Sequence, residues 1–213
     1  MFDDRTDAGG RLATELERRG FDADVVLGIP RGALPVARPV ADTLDASLDV
    51  VVARKMGAPR NPELALGAVA SDGSVWYNDH LIDRLGVSEK YLEEIRTEEA
   101  ENARQKADRY RESEGLPELR GKRVVIVDDG VATGATATAC LRQVRETDAE
   151  WVALAVPVGS PRSVEDLERE ADEVIAVETP ADFRAVGQYY RNFGQVTDEE
   201  AIQYLRGDAS RDS

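Results

Sequence analysis

Five apolar runs frame this chain: DVVLGI at 24–29, LDVVVA at 48–53, RVVIV at 123–127, WVALAVPV at 151–158 and DEVIAV at 172–177. Largely unbroken β-branched and aliphatic stretches of this length predict parallel strands buried on both faces. Between them the period becomes helical. Residues 6–19 set Leu12, Ala13 and Leu16 on one side, with Gly20 as the stop. A helix is predicted to follow the first strand to about residue 46, with Pro35 in its first turn and Pro39 as a kink. Others are predicted over 135–146, from Pro161 onward, and from the capping box Thr197-Asp198-Glu199-Glu200 to about Leu205. Strand, helix and strand over 24–53 make a βαβ unit with a right-handed crossover.

Two stretches interrupt the alternation. Within 58–78, LALGAVA and SVWYN flank Ser71-Asp72-Gly73, which predicts a β-hairpin. Residues 88–113 predict a long charged helix lying solvated over the domain, with a thin stripe of Tyr91, Ile95, Ala103, Ala107 and Tyr110. The fold class that accounts for the whole is α/β: a doubly wound, mostly parallel central sheet with helices on both faces. The chain reads as one domain over 1–213, with 208–213 a disordered tail.

Charge narrows the setting. Acids number 42 against 27 bases, the formal net charge is −15, and the only lysines are Lys55, Lys90, Lys106 and Lys122. Such an excess points to an intracellular milieu of very high salt, where self-repulsion is screened. It argues against binding nucleic acid as a main function. The single cysteine, Cys140, excludes an internal disulfide and fits a reducing cytoplasm; one turn into a helix, it reads as a small core residue. His80 has no other histidine or cysteine near it in sequence, so a zinc site has no support. The polar N-terminus and the short apolar runs predict a cytoplasmic protein with no membrane partner.

Chemistry concentrates in residues 123–138, RVVIVDDGVATGATAT. Asp128 and Asp129 stand where a buried strand should end, and Gly130-Val131-Ala132-Thr133-Gly134-Ala135-Thr136 runs from there into a helix. In open α/β sheets ligands sit at the carboxyl ends of the strands. Glycines let the backbone approach an anion, and a helix N-terminus offers free N–H groups to a phosphate. Thr133 and Thr136 can add hydroxyl donors. The acids suit ribose hydroxyls or a hydrated Mg²⁺. Together these groups ask for a sugar phosphate. Two basic tips are predicted at the ends of neighbouring strands, Arg31 with Gly32 in IPRGA, and Arg54 with Lys55 in ARKMG. They suit a bound anion; surface ion pairs to nearby acids are the alternative.

Four hydrophobic residues, two acids and a G-x-x-T-G-x-T loop resemble the phosphoribosyl-pyrophosphate (PRPP) signature of type I phosphoribosyltransferases, most closely their uncharacterised branch. That resemblance, over roughly 24–192, implies the family's fold with a small hood from the N- and C-terminal segments. It implies Mg²⁺-dependent transfer of the 5-phosphoribosyl group from PRPP to a nitrogenous base, with release of pyrophosphate, and a homodimer. By resemblance Asp128 and Asp129 are the catalytic acids and hold the metal largely through substrate and water. PRPP falls to Arg31, Gly32, Arg54, Lys55 and the loop Gly130, Val131, Ala132, Thr133, Gly134, Ala135 and Thr136. A mobile lid falls within 58–63 or 71–74. The segment after the last strand is similar to the base pocket of purine-type members, which would give Val177, Phe183 and Tyr190 to the acceptor; gluing the C-terminal segment to the core is the equal alternative. In 6-oxopurine members the position of Ala132 is an acid that handles a proton on the base. Alanine has no such proton chemistry, so the acceptor stays open among a pyrimidine, adenine or another amine. A non-catalytic PRPP or nucleotide sensor on the same fold is the alternative function.

Overall fold

The computed structural model describes residues 1–111 and 115–207. In chain order the elements are α1 (Arg5–Arg18), β1 (Val25–Gly28), α2 (Leu34–Leu44), β2 (Ser47–Val50), β3 (Ala53–Ala58), β4 (Asn61–Ala70) and β5 (Val75–Tyr77). There follow α3 (Asp79–Leu85), α4 (Glu89–Tyr110), β6 (Arg123–Val127), α5 (Ala135–Arg145), β7 (Trp151–Val158), α6 (Pro161–Leu167), β8 (Glu173–Glu178) and α7 (Asp198–Arg206).

The β-branched runs form a five-stranded sheet in the order β2-β1-β6-β7-β8, every neighbouring pair parallel. Its centre is β6, and the two faces of that strand explain why the run has no polar alternation. Val124 and Ile126 pack with α5, whereas Val125 and Val127 pack with α1 and α2. Helices on both faces leave a central strand no wet side.

One strand corrects the expected layout. The second parallel strand stops at Val50, and Arg54 and Lys55 lie within β3 of a separate antiparallel sheet, β3-β4-β5. Arg54 faces Val69 and Lys55 faces Ala68 in that ladder. Pairing with the ten-residue β4 satisfies the β3 backbone and buries Ala53, Met56 and Ala58. The expected hairpin is present as β4 and β5, with 71–74 as its turn. The other lid candidate, 58–63, spans the β3–β4 turn.

Helix α4 lies over β3 and β4 and buries Ala103, Ala107 and Tyr110. Ser88 caps it by accepting from the Tyr91 N–H, and the helix ends at Tyr110. Of the region expected to be helical, residues 112 and 113 lie outside the described ones, as does the expected tail at 208–213. The two ends of the domain meet. Phe2 N donates to Tyr189 O at 2.7 Å and Arg191 N donates to Phe2 O at 2.9 Å. The predicted capping box is formed at Thr197, and α7 packs on α2 and α4. Cys140 is fully buried on α5, and burial pushes its thiol pKa up, as a core residue requires. Among the described residues no helix is long and apolar enough to cross a membrane.

Candidate functional site

Because β1 and β6 pair in register through Gly28 and Val127, the segments that leave them emerge side by side. One is Ile29-Pro30-Arg31-Gly32-Ala33, the other Asp128 to Gly134. They crowd each other at Gly32: a Cβ there would overlap Oδ2 of Asp129 and lie 3.1 Å from its Cγ. The missing side chain at Gly32 makes room for the second acid.

Asp129 is held from a direction that no local pattern indicates. Arg5, in the first turn of α1, donates from Nε to Oδ2 at 2.8 Å, with the two side chains only 12% and 16% exposed. Arg5 in turn lies 3.8 Å over the Phe193 ring and donates to Gly194 O at 2.7 Å. Burial raises the Asp129 pKa, and Arg5 opposes the rise. Asp128 accepts the Asp129 N–H at 2.8 Å; burial, then the neighbouring carboxylate, raises its pKa well above the ordinary value. A desolvated carboxylate of this kind is relieved by hydroxyl donors or a cation.

The loop after the acids is fastened to the next strand. Val131 N donates to Val158 O at 2.9 Å, and Ser160 N donates to Val131 O at 2.9 Å. Hydroxyls of Ser160 and Ser163 both donate to Ala132 O, at 3.0 and 2.7 Å. Gly130 packs against Val186, which leaves no room for a Cβ. Gly134 takes a left-handed φ of 77° and is the N-cap of α5, with no side-chain cap bond. The free N–H groups of the first turn, at Ala135, Thr136 and Ala137, are therefore available to an anion. Ala132 and Thr133 are exposed and Thr136 half-buried.

On the other side of the acids, Arg31 reaches Asp198 of α7 at 3.4 Å, and Arg54 pairs with Glu99 of α4 at 3.0 Å. The Pro30–Arg31 peptide is cis. Arg31 and Arg54 share a cavity of about 360 Å³ with Lys106, Arg109, Tyr110 and Asp198. Lys55, the next residue along β3, lines a second cavity of about 380 Å³ with Arg54. Asp198 is the hub of the first: Tyr110 donates to it at 2.5 Å and Arg109 lies 3.6 Å away. The Tyr110 hydrogen bond and the Arg31 charge hold its pKa down, against burial.

The three residues expected at an acceptor pocket divide. Tyr190 is 5% exposed, packs on Phe2 and Phe193, and donates its hydroxyl to Asp129 O at 2.5 Å. It is a prop beneath the second acid. Phe183 stacks on Tyr189 at 5.6 Å, and Val177 is half-buried beside that cluster. Arg5, Lys106, Arg109 and Asp198 are site residues that the sequence reading passes over. Only Lys106, one of four lysines in an acidic chain, carries a signal.

For a divalent metal, the described residues offer no group of three or more His, Cys, Asp or Glu side chains. Asp128 and Asp129 fit Mg²⁺ held chiefly through substrate oxygens and water, the manner in which this ion keeps its hydration.

A family model for the phosphoribosyl transferase domain matches residues 3–193. In Mycobacterium tuberculosis, "Putative phosphoribosyl transferase Rv0571c" is 44% identical over 205 residues, covering 96% of this chain and 46% of its own length. The chain thus spans about half the length of the curated relatives it matches. The crystal structure of TT1426 from Thermus thermophilus superposes with a TM-score of 0.81 at 44% identity, covering 98% of this chain and 99% of the other. A Neisseria gonorrhoeae protein solved with bound ppGpp shares the fold at a TM-score of 0.50 and 16% identity, over 98% of each chain.

Proposed function

The chain belongs to the phosphoribosyl transferase domain family, and from that premise we propose that it transfers the 5-phosphoribosyl group of PRPP to a nitrogenous base, releasing pyrophosphate, in nucleotide metabolism. One observation carries the reading: the acid pair stands between a phosphate-ready helix N-terminus and the Arg31 turn, all at the carboxyl end of adjoining strands β1 and β6. The 5′-phosphate sits on the N–H groups of α5, with Thr133 and Thr136 as hydroxyl donors. Asp128 and Asp129 accept the ribose hydroxyls, and Arg5 fixes the orientation of the second acid. The transition state is taken as oxocarbenium-like, as in glycosidic cleavage. Negative charge then grows on the leaving diphosphate, which Arg31, Arg54 and Lys55 neutralise on this reading. Mg²⁺ held near the acids supplies further charge neutralisation. The chain's own part is positioning and electrostatics.

A second reading, a PRPP or nucleotide sensor without turnover, draws on the pairing of Arg31 with Asp198 and of Arg54 with Glu99. Pyrophosphate release from PRPP, measured with a panel of purines, pyrimidines and other amines in Mg²⁺ and high KCl, separates the two. Release with one base establishes the transferase and names the acceptor. No release, with PRPP protecting the protein against heating, establishes the sensor. Neither release nor protection overturns both.

A further inference from the structure

We propose that Lys106 of α4 is a direct ligand of the leaving diphosphate, an extra binding residue supplied from outside the strand-end loops; the assignment rests on the transferase reading above.

Lys106 stands on the side of α4 that carries Ala103, Ala107 and Tyr110 into the protein. Its Nζ donates to Pro30 O at 2.6 Å, the carbonyl next to Arg31. An ammonium has three donors; among the described residues this carbonyl is the one partner of Lys106, and no carboxylate lies within ion-pair distance of it. Its neighbours in the cavity of about 360 Å³ already have counter-charges. Arg31 and Arg109 share Asp198, and Arg54 has Glu99. Around the cavity, four cations have two carboxylates as ion-pair partners, both already engaged by arginines, in a chain of net charge −15.

A lysine that served only to hold the Pro30 carbonyl would be better replaced by a neutral donor, because a half-buried ammonium between two guanidinium groups is costly. The cost is visible. Burial, then Arg54, then Arg31 press the Lys106 pKa down, with only weaker opposition from Cys140 and Asp128. The charged and titratable groups that act on it come from several elements: Arg31 on the turn after β1, Arg54 on β3, Asp128 at the end of β6 and Cys140 on α5. Arg109 and Tyr110 on its own helix and Asp198 on α7 complete the set. An anion lodged among Arg31, Arg54 and Lys106 reverses that balance: each cation gains a charge-assisted hydrogen bond, and the diphosphate is held against the turn that borders Asp129. PRPP is the one substrate in the proposed reaction that brings such an anion to this end of the acids.

The test is equilibrium binding of inorganic pyrophosphate, with ribose 5-phosphate as the control ligand for the α5 end of the site. Lys106→Gln keeps a donor for Pro30 O and removes the charge; Lys106→Arg keeps the charge and does not titrate. Lys106→Gln is expected to weaken pyrophosphate binding roughly ten- to hundredfold while ribose 5-phosphate binding is unchanged. Lys106→Arg is expected to retain most of the affinity. As pH rises through the lysine's lowered pKa, below the ordinary 10.5, wild-type affinity should fall relative to that of Lys106→Arg; both proteins meet the same titration of the ligand. Equal pyrophosphate affinity in wild type and Lys106→Gln, or no binding to wild type, overturns the proposal. This readout needs no turnover: a Lys106-dependent pyrophosphate site in a protein that neither binds nor cleaves PRPP would refute the transferase reading and leave the anion site standing.

Discussion

Gly32→Ala is the sharpest probe of how the acids are set. No left-handed φ is required at Gly32, so alanine meets no backbone strain there and the whole effect is steric. The new methyl would overlap Asp129 Oδ2, lie 3.1 Å from Asp129 Cγ and 3.4 Å from Arg5 Nε. Ordinary contact at ~3.5–4 Å requires the carboxylate to retreat by roughly 1 Å. It has little freedom to do so, because Arg5 holds it at 2.8 Å and Tyr190 props its own carbonyl at 2.5 Å.

Displacing the carboxylate weakens a part-buried, charge-assisted bond worth about 1.5–3 kcal/mol. Alanine restores ~0.4–1 kcal/mol by stiffening the unfolded chain. The net loss is therefore about 1–2 kcal/mol, or a Tm lower by roughly 2–8 °C in a chain of this size. Function should suffer more than stability. A shift of ~1 Å in a positioning group costs on the order of 10²-fold in rate. Thermal denaturation and pyrophosphate release, or PRPP affinity if no base is turned over, read the two effects separately. Wild-type Tm with wild-type activity in Gly32→Ala would refute the claim that Gly32 exists to make room for Asp129.

Two neighbouring glycines of α1 should respond in opposite directions. A Cβ at Gly9 would press on the Val36 carbonyl at 2.6 Å, whereas one at Gly10 meets nothing within 4 Å. Gly10→Ala should raise Tm by about 2–4 °C, from roughly 1 kcal/mol of helix propensity, and Gly9→Ala should lower it; equal shifts in calorimetry would contradict the close packing of α1 on α2. Asp198 supplies a pH test. The Tyr110 hydrogen bond, together with Arg31, lowers its folded pKa below the unfolded value of 3.8, so its contribution is present above about pH 3.8 and is lost as pH falls through the folded pKa. Asp198→Asn should therefore lower Tm near neutral pH and flatten the acid limb of the stability curve; an unchanged acid limb would remove Asp198 from the hub.

What was legible in the sequence is what a short window determines. A run such as Val124 to Val127 has one comfortable home, the interior of a parallel sheet, and the small residues after Asp129 mark a tight turn into a helix. The capping box at Thr197 is local in the same sense. Arg54 and Lys55 sit elsewhere than expected because ARKMGA reads equally as the end of one strand or the start of another; the choice is made by pairing with β4, a tertiary matter. The supports of the acid pair were illegible for a stronger reason. Arg5 reaches Asp129 across 124 residues, Tyr190 across 61, and Lys106 reaches Pro30 across 76. Neither period nor spacing encodes such pairings.

The charge of the chain and the charge of the site are consistent once burial is considered. A surface of net charge −15 repels a polyanion at long range, yet that field decays within about 10 Å at 0.1 M salt and within ~3 Å at 1 M. Lys106 is half-buried, so its short-range action on a bound phosphate is screened far less than that of Arg31 and Arg54, whose side chains are 42% and 44% exposed. High salt thus suppresses the repulsion while preserving the attraction of the part-buried lysine. An acid-rich exterior and a lysine placed among arginines are, on this account, compatible parts of one site, because the medium screens the first and burial shields the second.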